Sequence, residues 1–143
     1  MGAAFDITLL GDKKLNKAFG ALAVIDQRKV MRKSQRAAFK PVLKSAKANA
    51  PVRTGKLKKS LKLRALKRSR NRSGVFVRTG TRSELGIPEN AKYYYPAHVE
   101  LGHSDVAPVP FLRNAFDSNK DRVWRKFHVM LWRGTRDVWG RGK

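Results

Sequence analysis

Apolar positions along the chain fall into two spacings. After Asp26, the residues Val30, Ala37, Ala38, Val42, Ala46 and Ala50 recur on one face of a helix. Asp26 starts that helix and Pro51 stops it. Pro41 lies inside it, lacks a backbone donor, and predicts a kink or a break nearby. Ahead of it, Asp12 is placed to cap a shorter helix whose apolar face is Leu15, Phe19 and Leu22. Residues 1–11 read as an extended lead-in, with Phe5, Ile7 and Leu9 alternating before Gly11.

Beyond Pro51 the pattern changes. Pro51 to Leu57 is a turn-rich hinge between helix and sheet. Leu61 and Leu63 alternate with basic residues at the period of a strand, and Val75 and Val77 fall at the same spacing. Lys67 to Gly74 between them reads as a hairpin loop. Gly80 to Asn90 is a second turn-rich connection, and Tyr93 to Leu101 reads as another strand, bent or at an edge because Pro96 cannot donate to a ladder. After Pro108 and Pro110, apolar residues return at spacings of three and four: Phe111, Leu112, Ala115, Phe116, Val123, Trp124, Phe127 and Leu131. They predict a third helix. The succession of helix, helix, strands and helix predicts one α+β domain over residues 1–132. Its small antiparallel sheet carries the long N-terminal helix and the C-terminal helix. Residues 133–143 are set apart as a basic tail anchored by Trp139.

Composition narrows the picture. At 143 residues and 41% hydrophobic content the chain is long enough for one core. The absence of cysteine excludes disulfides, thiolate catalysis and cysteine-ligated zinc. No basic leader precedes an apolar run, and the longest apolar run, Ala21 to Ile25, is far too short to span a bilayer. A protein of the cytoplasm without a membrane association is expected.

Charge changes the picture most. Lys and Arg number 33 against 10 Asp and Glu, a formal net charge of +23. Between Asp26 and Glu84 no acid occurs, while Lys and Arg number eight from Arg28 to Lys47 and ten from Arg53 to Arg72, followed by Arg78 and Arg82. A solvated helix face usually mixes signs, and segregation of one sign is destabilising. The basic block therefore points to an anionic partner. Phosphate backbone contacted without sequence preference is the best physical match; an acidic protein surface is the other. The block holds only Phe39 and Phe76, so aromatic stacking platforms for single strands are poorly represented.

The residues offer little for catalysis. His98, His103 and Asp105 are near neighbours but fit no metal-ligand spacing, and no nucleophile elbow or phosphate-binding glycine loop occurs. Neither a metal nor a cofactor is expected. Two clusters stand out for geometry instead. In Pro51-x-x-Thr54-Gly55-x-Leu57, Gly55 permits positive φ and Thr54 is placed to bond a free helix carbonyl or to start the next turn. In Val99-Glu100-Leu101-Gly102, a carboxylate in a basic molecule is expected either to pair with Arg53 or Lys56 or to stand exposed.

The run Ala48 to Leu61, which contains Pro51-x-x-Thr54-Gly55-x-Leu57, together with Tyr95-x-x-His98-x-Glu100-x-Gly102 and Val109-Pro110-Phe111-Leu112-Arg113-x-Ala115, resembles a phage family. It is similar to the small neck or tail-completion proteins (minor tail components) of long-tailed double-stranded DNA phages and prophages, in the same order over residues 12–131. The resemblance implies a virion structural protein with no catalytic role. It would form a homo-oligomeric ring at the head–tail junction, six-fold rather than twelve-fold, through whose lumen double-stranded DNA passes. Connector, terminator or tube rings are the implied neighbours, and the host cytoplasm is the site of assembly.

Within that reading, Arg53, Lys56, Lys58, Lys59, Lys62, Arg64, Lys67, Arg68, Arg70 and Arg72 are the residues expected to face DNA or another anion. Pro51, Thr54, Gly55, Leu57, Glu100, Gly102, Pro110 and Phe111 are expected to set the fold and the ring contacts. The alternative is a stand-alone, non-specific nucleic-acid-binding protein that uses the basic block over residues 28–82.

Overall fold

A computed structural model of the chain describes residues 13–67 and 72–141. The lead-in, the Asp12 cap and the middle of the hairpin loop, including Arg68 and Arg70, lie outside the described residues. Seven helices and two strands follow in the order α1 (Lys13–Gly20), α2 (Val24–Asn49), α3 (Lys56–Ser60), β1 (Lys62–Ala65), β2 (Val75–Arg78), α4 (Arg82–Leu85), α5 (Tyr95–Leu101), α6 (Phe111–Asp117) and α7 (Lys120–Arg141). The class is α+β, as the periodicity predicts.

The long helix α2 is the element on which the others rest. Its stripe of Val30, Ala38, Phe39, Val42, Ala46 and Ala50 is buried. The helix packs against α7 and α6 and also against both strands. It begins at Val24, two residues before Asp26, with Ala23 at its cap. Gln27 turns back from its first turn, and its amide donates to the carbonyls of Leu22 at 2.9 Å and Phe19 at 3.1 Å beyond and within the end of α1.

Of the kink or break expected at Pro41, the break does not occur: the helix is continuous through it. A proline in a helix interior costs about 3 kcal/mol. Here the residues on both sides of it, Ala38, Phe39 and Val42, are buried in the same core, and each deeply buried apolar side chain contributes about 1.5–3 kcal/mol. Continuity of the stripe outweighs the lost bond.

The strands β1 and β2 form an antiparallel hairpin with Leu63 opposite Val77 and Arg64 opposite Phe76. Leu63, Val75 and Val77 pack against the core. The residues that alternate with them, Lys62, Arg64, Phe76 and Arg78, form the other face of the pleat. Leu61 precedes the strand as the cap residue of α3 and is wholly buried.

Three further expectations are corrected. Tyr93 to Leu101 is not a strand but contains α5, with Pro96 in its first turn. A fixed φ and a missing N–H suit that position, because the first amides of a helix have no internal partner. Tyr95 and Val99, four apart, turn toward the core, whereas Tyr93 and Leu101 are 58% and 67% exposed. Strand alternation would have buried all four together.

The third helix is two helices. They part at Ser118 and Asn119, where the Asn119 amide donates to the Ser45 hydroxyl of α2 and to the Ala115 carbonyl, both at 2.9 Å. Its own carbonyl accepts from the Val123 amide at 2.8 Å and starts α7. Finally, residues 133–141, expected as a tail, continue α7. Thr135 is buried there and donates to the Leu131 carbonyl at 2.8 Å.

Gly134 allows α7 to reach α2. A methyl group at this position would lie 2.8 Å from Val30 Cγ1, closer than two carbon atoms approach without displacement. Gly134→Ala therefore trades an overpacking cost of about 1–3 kcal/mol against about 1 kcal/mol of recovered helix propensity. A net loss of about 0–2 kcal/mol in urea unfolding is expected. The loss disappears in a Val30→Ala background, a coupling that a double-mutant cycle reads directly.

Candidate interface and the motifs that build it

The Pro51-to-Leu57 cluster turns the chain from α2 into α3. Ala50 is the C-terminal cap of α2, with its amide donating to the Ala46 carbonyl at 2.9 Å. Gly55 sits at the head of α3 with φ +72° and opens the short helix through a 3.0 Å bond from the Lys59 amide to its carbonyl. Leu57 anchors the helix in the core. Thr54 does not perform the expected bonding, since its hydroxyl is exposed and makes no hydrogen bond among the described residues.

The end of α3 is then fixed to the end of β2. The Ser60 hydroxyl is buried, donates to the Leu57 carbonyl at 2.8 Å and accepts from the Gly80 amide at 3.1 Å. The Tyr94 hydroxyl reaches the same node, donating to the Gly80 carbonyl and meeting the Thr79 hydroxyl.

Glu84 is the first acid after the long basic block, and several donors converge on it. It stands third in α4 and forms a reciprocal cap with Thr81: the Thr81 amide donates to the carboxylate at 2.9 Å, and the Glu84 amide donates to the Thr81 hydroxyl. The same carboxylate accepts from Lys62 Nζ at 2.8 Å and lies 3.8 Å from Arg78 Nη2. Lys62 and Arg78 are directly opposed across the hairpin, a like-charge pair that Glu84 neutralises. The Lys62 hydrogen bond, and then the Thr81 amide, pull its carboxyl from 4.5 down to about 2. Lys62, one of the residues expected to face an anion, thus already has a carboxylate.

Glu100 does not pair with Arg53 or Lys56, nor does it stand exposed and free. Its carboxylate accepts the backbone amides of Leu112 at 2.8 Å and Arg113 at 2.9 Å, in the first turn of α6. These amides have no partner within the helix, and a carboxylate also suits the positive end of the helix dipole. The cap comes from another helix because Pro110, at the local cap position, has no side-chain acceptor. Gly102 closes the same joint. Its backbone lies at φ +78°, ψ 176°, a region open essentially to glycine. An added Cβ would lie 3.0 Å from Pro108 N and from the Val106 carbonyl oxygen. The Val109 amide donates to the Val99 carbonyl at 2.7 Å, and Phe111 is buried just beyond. Glu100, Gly102, Pro110 and Phe111 therefore build one joint between α5 and α6.

Beside the Pro51-to-Leu57 turn lies an open cleft of about 540 Å³. One wall is Pro51 to Leu57, and the facing residues are Leu85 to Pro88 with Tyr93, Tyr95 and Val99. Burial raises the Tyr95 phenol above its usual value, so the ring stays neutral. Arg53 and Lys56 line the same cleft. The sequence reading missed Ile87, Tyr93 and Tyr95 as a wall because it placed the tyrosines on a strand. Next to the cleft, the His98 and His103 rings stack with centroids 5.2 Å apart, and Tyr93 meets His98 edge-on.

The remaining expected anion-facing residues are distributed. Lys58 and Lys59 are exposed on α3, Arg64 is exposed on β1, and Lys67 and Arg72 flank the undescribed part of the loop. A second cationic surface, absent from that set, lies along α2. Arg28, Lys29, Lys33, Arg36, Lys40 and Lys44 are all exposed. A helical wheel drawn on the sequence would have shown them sharing one face.

Two outcomes test these assignments. Because the folded-state pKa of Glu84 lies below its unfolded value, the stabilisation it gives is present above about pH 4.5 and lost as pH falls toward 2. The wild type should exceed Glu84→Gln in urea midpoint at pH 5, with the difference vanishing as the pH approaches 2. Glu100→Ala leaves two helix amides without their acceptor and should cost about 1–3 kcal/mol. Glu100→Gln, which keeps one carbonyl oxygen, should lose less. Hydrogen exchange should accelerate at the Leu112 and Arg113 amides ahead of the rest of α6.

Comparison with known proteins places the molecule. The HK97-gp10-like family, described as a bacteriophage tail component, matches residues 13–102, which takes in the Pro51-to-Leu57 turn and the Glu100–Gly102 joint and ends before Pro110. No curated protein and no solved structure matches the chain. The matched region covers well over half of the sequence, and the chain belongs to the HK97-gp10-like family of phage tail components.

Proposed function

We propose that this protein is a structural, non-catalytic subunit of the phage head–tail junction, where copies of it close into a ring that joins tail to head around the DNA channel. Family membership carries the reading. Ring closure by head-to-tail contacts needs two unlike patches on each subunit, and two are present. One is the cleft between the Pro51-to-Leu57 turn and α5. The other is the exposed apolar set Leu101, Val106 and Val109 at the α5–α6 joint. Arg53 and Lys56 at the first patch favour a neighbour that brings a carboxylate.

In this reading the ring is six-fold, its neighbours are connector, terminator or tube rings, and cations of α3 and the hairpin face the DNA or an acidic ring. Assembly takes place in the host cytoplasm and the finished protein resides in the virion. Among the described residues no helix is long and apolar enough to cross a membrane. Electron microscopy of virions carrying a tagged copy of this protein should show a six-fold ring at the neck. Absence of the protein from purified particles overturns the proposal.

A further inference from the structure

Helix α2 is buried along one stripe and exposed along another; the exposed stripe opens on Ile25 in the first turn and from Arg28 to Lys47 has a single chemistry. From Arg28 to Lys47 the fully exposed positions are Arg28, Lys29, Lys33, Arg36, Lys40 and Lys44. Each is Lys or Arg, and none is apolar or acidic. At 3.6 residues per turn they fall within an arc of about 160° and run for about 24 Å along the axis. That is one cation for each ~4–5 Å, against about 3.4 Å of axial rise for each phosphate on one strand of duplex DNA. Of these six, only Lys29 has a carboxylate within ion-pair reach among the described residues, Asp26 at 3.9 Å.

We infer that this ridge of α2 is a surface that binds the phosphate backbone of duplex DNA without reading its sequence. Three observations favour DNA over other anions. A protein-docking face centres on apolar or aromatic side chains, and this one exposes only Ile25, at its N-terminal end and not at its centre. A membrane-surface helix must turn an apolar face to the lipid, whereas the apolar face of α2 is occupied by the core. Lys and Arg can read guanine as well as grip phosphate, but with no exposed Asn, Gln or acid from Arg28 to Lys47 to read adenine or cytosine, and with cations spaced close to the phosphate repeat, the ridge suits the backbone.

The hairpin extends the track. Gln35, next to Arg36, donates from Nε2 to the Ser73 carbonyl at 3.1 Å and accepts from the Ser73 hydroxyl at 3.1 Å. This bond pair ties Ser73, the chain neighbour of the exposed Arg72, to α2 one residue from Arg36. The inference deepens the proposed function by naming the surface that meets the polyanion.

The test uses the purified full chain and a short, labelled, mixed-sequence DNA duplex, with affinity read by fluorescence anisotropy between about 50 and 200 mM KCl. Six phosphate contacts predict a fall of about 10³-fold in affinity over that range. Lys33→Gln, Arg36→Gln, Lys40→Gln and Lys44→Gln combined leave two contacts, and the fall should shrink to about 10-fold. A control removes the same charge from α7 by Arg122→Gln, Arg125→Gln, Arg133→Gln and Arg136→Gln, and should keep the steep dependence.

The ridge variant removes like-charge neighbours four apart at Arg36, Lys40 and Lys44, so its melting temperature should hold or rise. The single variants Arg36→Gln and Lys40→Gln, each lowering the logarithmic salt slope by about 1, answer the question if the combined variant does not fold. Equal loss in the ridge and α7 variants overturns the inference, because net charge would then explain the binding. Polyglutamate binding as tightly as the duplex at equal charge also overturns it. A ridge that fails to bind DNA leaves the junction reading standing, and absence from the virion leaves the binding result standing.

Discussion

The buried stripe of α2 is the constraint from which the rest of the molecule follows. The sheet lies against α2, and so do α6 and α7. The helix must therefore present apolar residues to neighbours on more than one side while remaining straight enough to serve all of them. Small residues meet the first demand: Ala38, Ala46 and Ala50 let neighbouring backbones come close, and Gly134 of α7 answers from across the interface. Continuity meets the second, which is why Pro41 is accommodated in the middle of the helix. What remains of the helix circumference is free to carry charge, and beyond Asp26 in the first turn that charge is all positive.

So cationic a chain has few carboxylates, and the two best-placed ones each serve several donors. Glu84 caps α4, cancels the repulsion between Lys62 and Arg78, and ties the hairpin to the segment that follows it. Glu100 substitutes for a local cap that Pro110 cannot provide. Both are hydrogen-bonded to backbone amides, which fix their positions more firmly than a flexible lysine partner could. The acids thus organise the turns, while the basic residues are left on the surface with little internal use.

Much of this was legible in the sequence, and what was not has a common cause. The stripe of α2 and the α+β class follow from periodicities in the sequence, and the existence of the two hairpin strands from a shorter alternation, though not their register. Tyr93 to Leu101 is too short for that: residues two and four apart are both apolar, so the window fits a strand and a helix equally well. Only the exposure of Tyr93 and Leu101 separates the two. The division between α6 and α7 depends on Asn119 finding Ser45, 74 residues away in sequence. The partners of Glu100 are main-chain amides, which no residue pattern advertises. The motifs of the resemblance are legible as strings of residues, but the joint that Glu100, Gly102, Pro110 and Phe111 build is not. The tyrosine wall of the cleft became visible only once the helix was known.

The joint at Glu100 has a mechanical consequence. Tyr95 and Val99 line the cleft from α5, and the same short helix delivers Glu100 to the backbone of α6, whose Phe111 and Ala115 are seated in the core against α2. The linkage is made of short hydrogen bonds to main chain, with Gly102 leaving no slack for a side chain between the two helices. The wall of the cleft and the long helix that bears the exposed cations are thus joined through two main-chain hydrogen bonds, and any load placed on Tyr95 or Val99 would reach α2 by way of α6.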